Sequence, residues 1–394
     1  MSLIKAKQID LTTLTSALNI TAIARNAISV QSNSLLSYNS TTGVLGYQGY
    51  ISSKTIIVDK DSPNATDVRT SISRYNFDFP FVTIQAAINA STNGDLILVY
   101  SNTYTEDISL SGVNKLYVIE FQNVTLNGNI TLTNDLNSLN IVSFTKGSNF
   151  VGNLIVDSGV LNPVLISDGT GEWNGKINKT GSPSNVYIQG FRQLLYNSAF
   201  YSGSTTITST PELIFKDIEL IKGTGTNLFS AGNYSFDNCY VLQSTLTGTD
   251  SIFLNGGPSF GASKTTFESV TGKIQTGTTS FWFYNIENST FKSGDVCFDI
   301  KASVTGNKKG YFINSTFYSG SESIFKFSTN TGGRLILIGC IGRVINVAKY
   351  FINNTTTIDS VESTNLSHSS ALGFFTGTVP DTYLNNNTVV IENL

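Results

Sequence analysis

Charged side chains are scarce in this chain of 394 residues: Asp, Glu, Lys and Arg together make up 13 %. Stretches rich in Glu, Lys, Arg and Ala, the composition of long helices, are missing, which argues against a helical fold. The formal net charge is −3, whereas a nucleic-acid-binding surface needs a basic face, so no nucleic-acid partner is expected. The lone basic pair Lys308-Lys309 reads as a solvated turn. No run approaches the ~18–20 apolar residues of a membrane span, and membrane insertion is not expected. The opening residues 1–8, MSLIKAKQ, reach charge too soon for the apolar stretch of a secretory leader. The single histidine, His368, stands in Ser-His-Ser-Ser and reads as a solvated loop residue. Three cysteines, Cys239, Cys297 and Cys340, are odd in number and lack metal-ligand spacing. Each lies in a strand-like run, so reduced thiols packed as small hydrophobes are expected. No metal or cofactor site is predicted.

What fills the gap is Gly, Asn, Ser, Thr, Phe and Tyr. Hydrophobic residues reach 40 %, too many for a disordered chain, and β-branched and aromatic residues favour strands. The most informative feature is internal repetition. Gly128-Asn129-Ile130, Gly152-Asn153-Leu154 and Gly175-Lys176-Ile177 recur 24 and 23 residues apart. Further on, Asp237-Asn238-Cys239-Tyr240, Asn288-Ser289-Thr290-Phe291 and Asn314-Ser315-Thr316-Phe317 align, followed by Gly339-Cys340-Ile341. The first step is two periods long, and Phe267-Glu268-Ser269-Val270 lies where a missing copy belongs. A second motif travels with it, and Phe298 maps onto Phe325.

A period of about 25, built of short strands and Gly/Asn/Ser turns, indicates a solenoid whose coils stack on one another. Leucine-rich repeats need a Leu-x-x-Leu-x-Leu frame that is absent, and propeller blades need ~40 residues or more. The prediction is therefore an all-β, parallel β-helix over residues 94–360. Asn238, Asn288 and Asn314 are expected to form an amide ladder at a coil corner, each amide bonding to its neighbour.

Residues 1–60 differ in character: 11–24 carry a weak helical spacing, and 35–47 read as strand, turn and strand. A linker and a short amphipathic helix at 81–90 follow within 61–93. A solenoid end exposes an unpaired coil, and this helix is placed to cap it. Residues 361–394 read as C-terminal strands or a cap.

From Pro80-Phe81-Val82-Thr83-Ile84-Gln85-Ala86-Ala87-Ile88 through Gly94-Asp95-Leu96-Ile97-Leu98-Val99 to Asn102-Thr103-Tyr104-Thr105-Glu106, the chain resembles the entry into pectin-lyase-like right-handed β-helices. That superfamily holds pectate lyases, polygalacturonases, and the tail spikes and fibres of bacteriophages. Residues 35–47 are similar to attachment regions of phage fibres. The resemblance implies two functions on one scaffold: a structural or adhesive virion fibre of a tailed phage, or a phage-borne polysaccharide depolymerase. A bacterial surface adhesin is a third reading, disfavoured because export needs a leader.

Enzymes of the superfamily cluster carboxylates with Arg, Lys or Ca²⁺ on an outer face. The Asn-Thr-Asp, Asp-Asp, Gly-His-Gly and Arg-Ile-Lys elements of polygalacturonase-like hydrolases do not occur here. The remaining carboxylate candidates are Asp295, Asp299 and Glu322. Asp295 and Asp299, if on one extended strand, stand ~13 Å apart, outside the ~5–9.5 Å of paired glycosidase carboxylates. Asp299 and Lys326 are expected to make an exposed ion pair of little worth. In Phe281-Trp282-Phe283-Tyr284, alternation with the Phe pair inside puts Trp282 and Tyr284 on the surface, for a subunit interface or a sugar ring. The expectation is a homotrimer on the virion surface, assembled in the bacterial cytoplasm. Residues 1–60 would contact other virion proteins, and the β-helix a host-surface glycan.

Overall fold

The computed structural model describes residues 36–39, 44–47 and 54–391. Excepted are segments 112–116, 134–140, 158–159, 161–162, 180–184, 192, 197–200, 204–211, 223–228, 230–232, 244–250, 255–258, 278–282, 301–303, 322, 328–330, 345–349, 355–357, 365–366, 370–372, 378–381 and 387–388. The chain divides into two units, Met1–Thr55 and Ile56–Leu394, so the boundary falls before the expected residue 60. In the first unit, strands Leu36–Asn39 and Val44–Tyr47 pair antiparallel with Leu36 opposite Tyr47. These are the two strands read within residues 35–47; 40–43, between them, lie outside the described residues. The helical spacing at 11–24 lies outside the described residues.

The second unit is a parallel β-helix. Its first face runs from Thr55–Val58 and Leu96–Tyr104 to Ile358–Thr364 and Thr382–Asn386, each rung pairing parallel with the next. A second face runs alongside to Val389–Ile391, and a third is made of two sheets, from Ile108–Leu110 to Tyr201–Gly203 and from Ser251–Leu254 to Gly373–Gly377. The strands beyond residue 360 extend the same ladders: Ile338 pairs with Thr364, and Ser360 with Thr382. Two local readings are corrected here. Lys308 and Lys309 lie in strand Val304–Ile313, opposite Gly333 and Arg334, not in a turn. His368 lies in strand Ser367–Ser369 opposite Gly342, not in a loop. Both segments are polar around these residues, which hides a strand whose register is set by its neighbours above and below.

Alternation within each strand directs every second side chain inward. Because the strands are stacked in register, like residues meet like. Phe267, Phe291 and Phe317 form a column with centroids 5.3 Å apart and rings within 9° and 13° of parallel. Phe298 and Phe325 stack at 5.1 Å on the third face, as the repeat predicted. Burying each such ring is worth about 1.5–3 kcal/mol.

The N-terminal coil is closed by helix Ile84–Ala90, whose Ile84, Ala87 and Ile88 are buried. Thr83 caps it, its side chain accepting from the Ala86 N–H. The Glu106 carboxylate accepts from the N–H groups of Ile84 and Gln85 at 2.9 and 3.1 Å, which satisfies orphan donors and places negative charge at the helix start. Gln85 then acts as a surrogate strand. Its Oε1 accepts from the Ser109 N–H at 2.7 Å, and its Nε2 donates to the Ser109 carbonyl at 3.2 Å. The open edge of Ile108–Leu110 is thus paired by a side-chain amide.

Candidate functional site

The corner between the first and second faces holds the asparagine motif. Following the register coil by coil gives Gly190, Asp217, Asn238, Lys264, Asn288, Asn314 and Gly339 at one position. All seven have φ between 48° and 76°, in the left-handed region. That conformation costs ordinary residues ~1–2 kcal/mol, and Gly, Asn and Asp tolerate it best. Backbone conformation therefore explains why this column favours asparagine. The side-chain bond here runs from Asn238 Nδ2 to Asp217 Oδ1 at 2.8 Å. Lys264 occupies the coil where no asparagine was found, and Phe267 of that coil pairs with Phe291.

A ladder of oxygen acceptors runs along a different corner. Asp107 accepts from the Asn129 N–H at 2.6 Å, Asn129 from the Asn153 N–H at 3.0 Å, and Asn153 from the Lys176 N–H at 3.2 Å. The Gly-Asn repeat carried this signal. Its glycines permit close coil approach: a Cβ on Gly175 would sit 1.6 Å from the Gly152 carbonyl oxygen.

From Asn238 onward the residue after the left-handed corner is small and buried: Cys239, Thr265, Ser289, Ser315 and Cys340. Thr265 Oγ1 accepts from the Cys239 N–H, Ser289 Oγ from the Thr265 N–H, and Ser315 Oγ from the Ser289 N–H, at 3.2–3.3 Å. Each hydroxyl donates to the carbonyl two residues back, at 2.8–3.0 Å. Two cysteines end this column, with Cys239 Sγ donating to the Asp237 carbonyl and Cys340 Sγ to that of Phe312, both at 3.2 Å. All three cysteines are free and buried. Burial raises the thiols of Cys239 and Cys340 to about 12 and pushes that of Cys297 higher still.

The carboxylate candidates meet differently from the expectation. Asp295 lies at a bend before strand Phe298–Ile300, so no extended strand separates it from Asp299. Both carboxylates converge on Lys273 of the preceding coil: Nζ contacts Asp299 Oδ2 directly and lies 3.7 Å from Asp295 Oδ2. Asp299 is 1 % exposed. The Lys273–Asp299 ion pair is thus buried. Lys326, the expected partner, pairs with Asp299 in backbone register one coil further on. Glu322 lies outside the described residues, as does Trp282. Tyr284 lies in strand Phe283–Glu287, opposite Phe260 and Gly310, and its side chain lies outside the described residues.

Sequence reading missed a polar stripe on the outer side of the second face. Glu268, Lys292, Tyr318 and Arg343 are cross-strand neighbours in four successive coils. Glu268 accepts from the Tyr240 hydroxyl at 3.0 Å and pairs with Lys292 at 3.3 Å. The Arg343 guanidinium lies 5.6 Å from the Tyr318 ring centre. Burial first, then the hydrogen bond to Glu268, raise the Tyr240 phenol above its ordinary value. Among the described residues, no group of three His, Cys, Asp or Glu is arranged to hold a metal ion, and no helix is long and apolar enough to cross a membrane.

Stacked parallel rungs, repeated corners and a capping helix define a parallel β-helix protein. In sequence, the chain matches no family model and no curated protein.

Proposed function

We propose that this chain is a structural or adhesive fibre of a tailed bacteriophage, a homotrimer attached to the particle through its N-terminal residues. The observation that carries this reading is the division of labour within the chain. A small N-terminal unit precedes a β-helix that closes its own first coil with helix Ile84–Ala90, so attachment and shaft are served by separate units. The stripe from Glu268 to Arg343 adds a face where Tyr318 offers a ring and charged groups offer hydrogen bonds, the chemistry that holds a host-surface glycan. Three tethered copies raise the effective concentration of a weak site, and a closed oligomer covers the flat sides of the helix without forming an open filament. Electron micrographs of phage particles labelled with antibody to this chain test the reading directly. Label on the virion surface supports it, and label confined to the cytoplasm of infected cells defeats it. Light scattering should report three chains.

A second reading, a polysaccharide depolymerase, is favoured by the convergence of Asp295 and Asp299 on Lys273. Incubation with pectin, alginate and capsular polysaccharides decides it. New reducing ends or unsaturated products, abolished by Asp295→Asn, would establish the enzyme.

A further inference from the structure

The cluster at Lys273 has a chemistry that neither reading uses. Lys273 and Asp299 are 26 residues apart in sequence and lie in consecutive coils, with Gln275 opposite Phe298 and Thr276 opposite Asp299. The side chains are 12 % and 2 % exposed. Around them Ile274, Val296, Cys297, Phe298 and Ile300 are buried. An amine is thus held against a buried carboxylate, and a second carboxylate, Asp295, 28 % exposed, stands 3.7 Å from the same nitrogen.

We propose that Lys273 and Asp299 condense to an intramolecular isopeptide bond, with Asp295 as the catalytic proton carrier. Lys273 Nζ gives a proton to Asp295, and Asp295 passes it to the Asp299 carboxylate. The amine lone pair then attacks Asp299 Cγ, forming the C–N bond and a tetrahedral carbon. Asp295 takes a second proton from Nζ and delivers it to the departing hydroxyl, the C–O bond breaks, and one water leaves. Of the three ammonium protons, two leave in that water and one stays on the amide nitrogen. The charge of the pair is neutral before and after, and no oxidant or activating co-reactant is needed. Proximity replaces activation, as in other well-oriented intramolecular reactions. Exclusion of water removes the nucleophile that would reverse the step.

The bond would join two adjacent coils of the third face covalently. Lys326, one coil further on in register with Asp299, is the competing amine, and placing the bond distinguishes the two.

The test is intact mass under denaturing conditions on the full chain, freshly folded. The expected mass is lower than the sequence mass by one water, with Lys273→Arg and Asp299→Ala returning to their unmodified masses. Trypsin cuts after Lys264, Lys292 and Lys301, so the linked pair 265–292 and 293–301 has the same mass as uncleaved 265–301. Fragmentation spectra must therefore place the bond, and they also separate it from dehydration at another site. Asp295→Asn should slow formation at least tenfold while leaving the fold intact by circular dichroism. An unmodified mass for the folded wild-type chain overturns the proposal even if every variant misfolds. A bond placed on Lys326 overturns the assignment to Lys273, and unchanged formation in Asp295→Asn overturns the role of Asp295.

Discussion

Asn288 and Asn314 occupy the same corner of successive coils, with φ of 49° and 48°. The Asn288 N–H donates to the Ile313 carbonyl at 2.9 Å, so the left-handed turn of one coil is hydrogen-bonded to the strand end of the next. Replacing Asn288 by Val puts a β-branched residue in that conformation, where strain of ~1–2 kcal/mol is expected. Asn288→Gly should leave stability nearly unchanged. Urea midpoints of the two variants check this, and equal losses would show that the amide rather than the backbone matters.

Phe291 lies between Phe267 and Phe317 with stacked rings on both sides. Phe291→Ala should cost about 3–5 kcal/mol, combining lost burial with a cavity that flanking coils cannot close. Phe291→Leu should cost clearly less. Thermal melting of both variants gives the comparison, and a loss below 1 kcal/mol for the alanine would contradict a rigid column.

The cap makes a local prediction. Gln85→Ala removes the partner of both peptide groups of Ser109, a loss of ~1–3 kcal/mol if the groups stay buried. Amide exchange across 106–111 should accelerate while exchange across 286–291 stays slow. Acceleration at both places would mean that the whole helix unfolds as one unit.

Cys239 and Cys340 are raised from 9.0 to about 12 by burial, and Tyr104 from 10.0 to about 12. The folded state holds these protons more tightly than the unfolded chain does. Their stabilisation is therefore complete below pH 9 and is lost progressively as pH rises through about 12. Denaturation midpoints should fall across that window. At pH 8 an aromatic disulfide reagent should leave all three thiols unmodified in the native protein and titrate all three after unfolding. Rapid reaction of any native thiol would contradict their burial.

The architecture was legible because a stacked coil writes its register into the sequence. Phe298 and Phe325 recur at the period, and side chains that touch must be alike. The capping helix was legible from the apolar spacing of Ile84, Ala87 and Ile88. The corner was legible only in part. Asn238, Asn288 and Asn314 marked the left-handed position, but Lys264 and Asp217 adopt the same conformation without the same letter, because hydrogen bonds from adjacent coils hold the turn. The lysine cluster was missed for a related reason. Asp295 was placed on an extended strand, whereas the bend at Gly294-Asp295 brings its carboxylate back towards Lys273.

The first corner is two residues long in coil after coil, at 238–239, 264–265, 288–289 and 314–315. It resets the register once per turn, whatever length precedes it. An insertion between third and first faces therefore shifts no side chain in the next coil, and its effect ends where it occurs. Whole turns can be duplicated or deleted in the gene with both junctions still in phase. A β-helix of this kind can change length over generations by counting turns, without redesigning its interior.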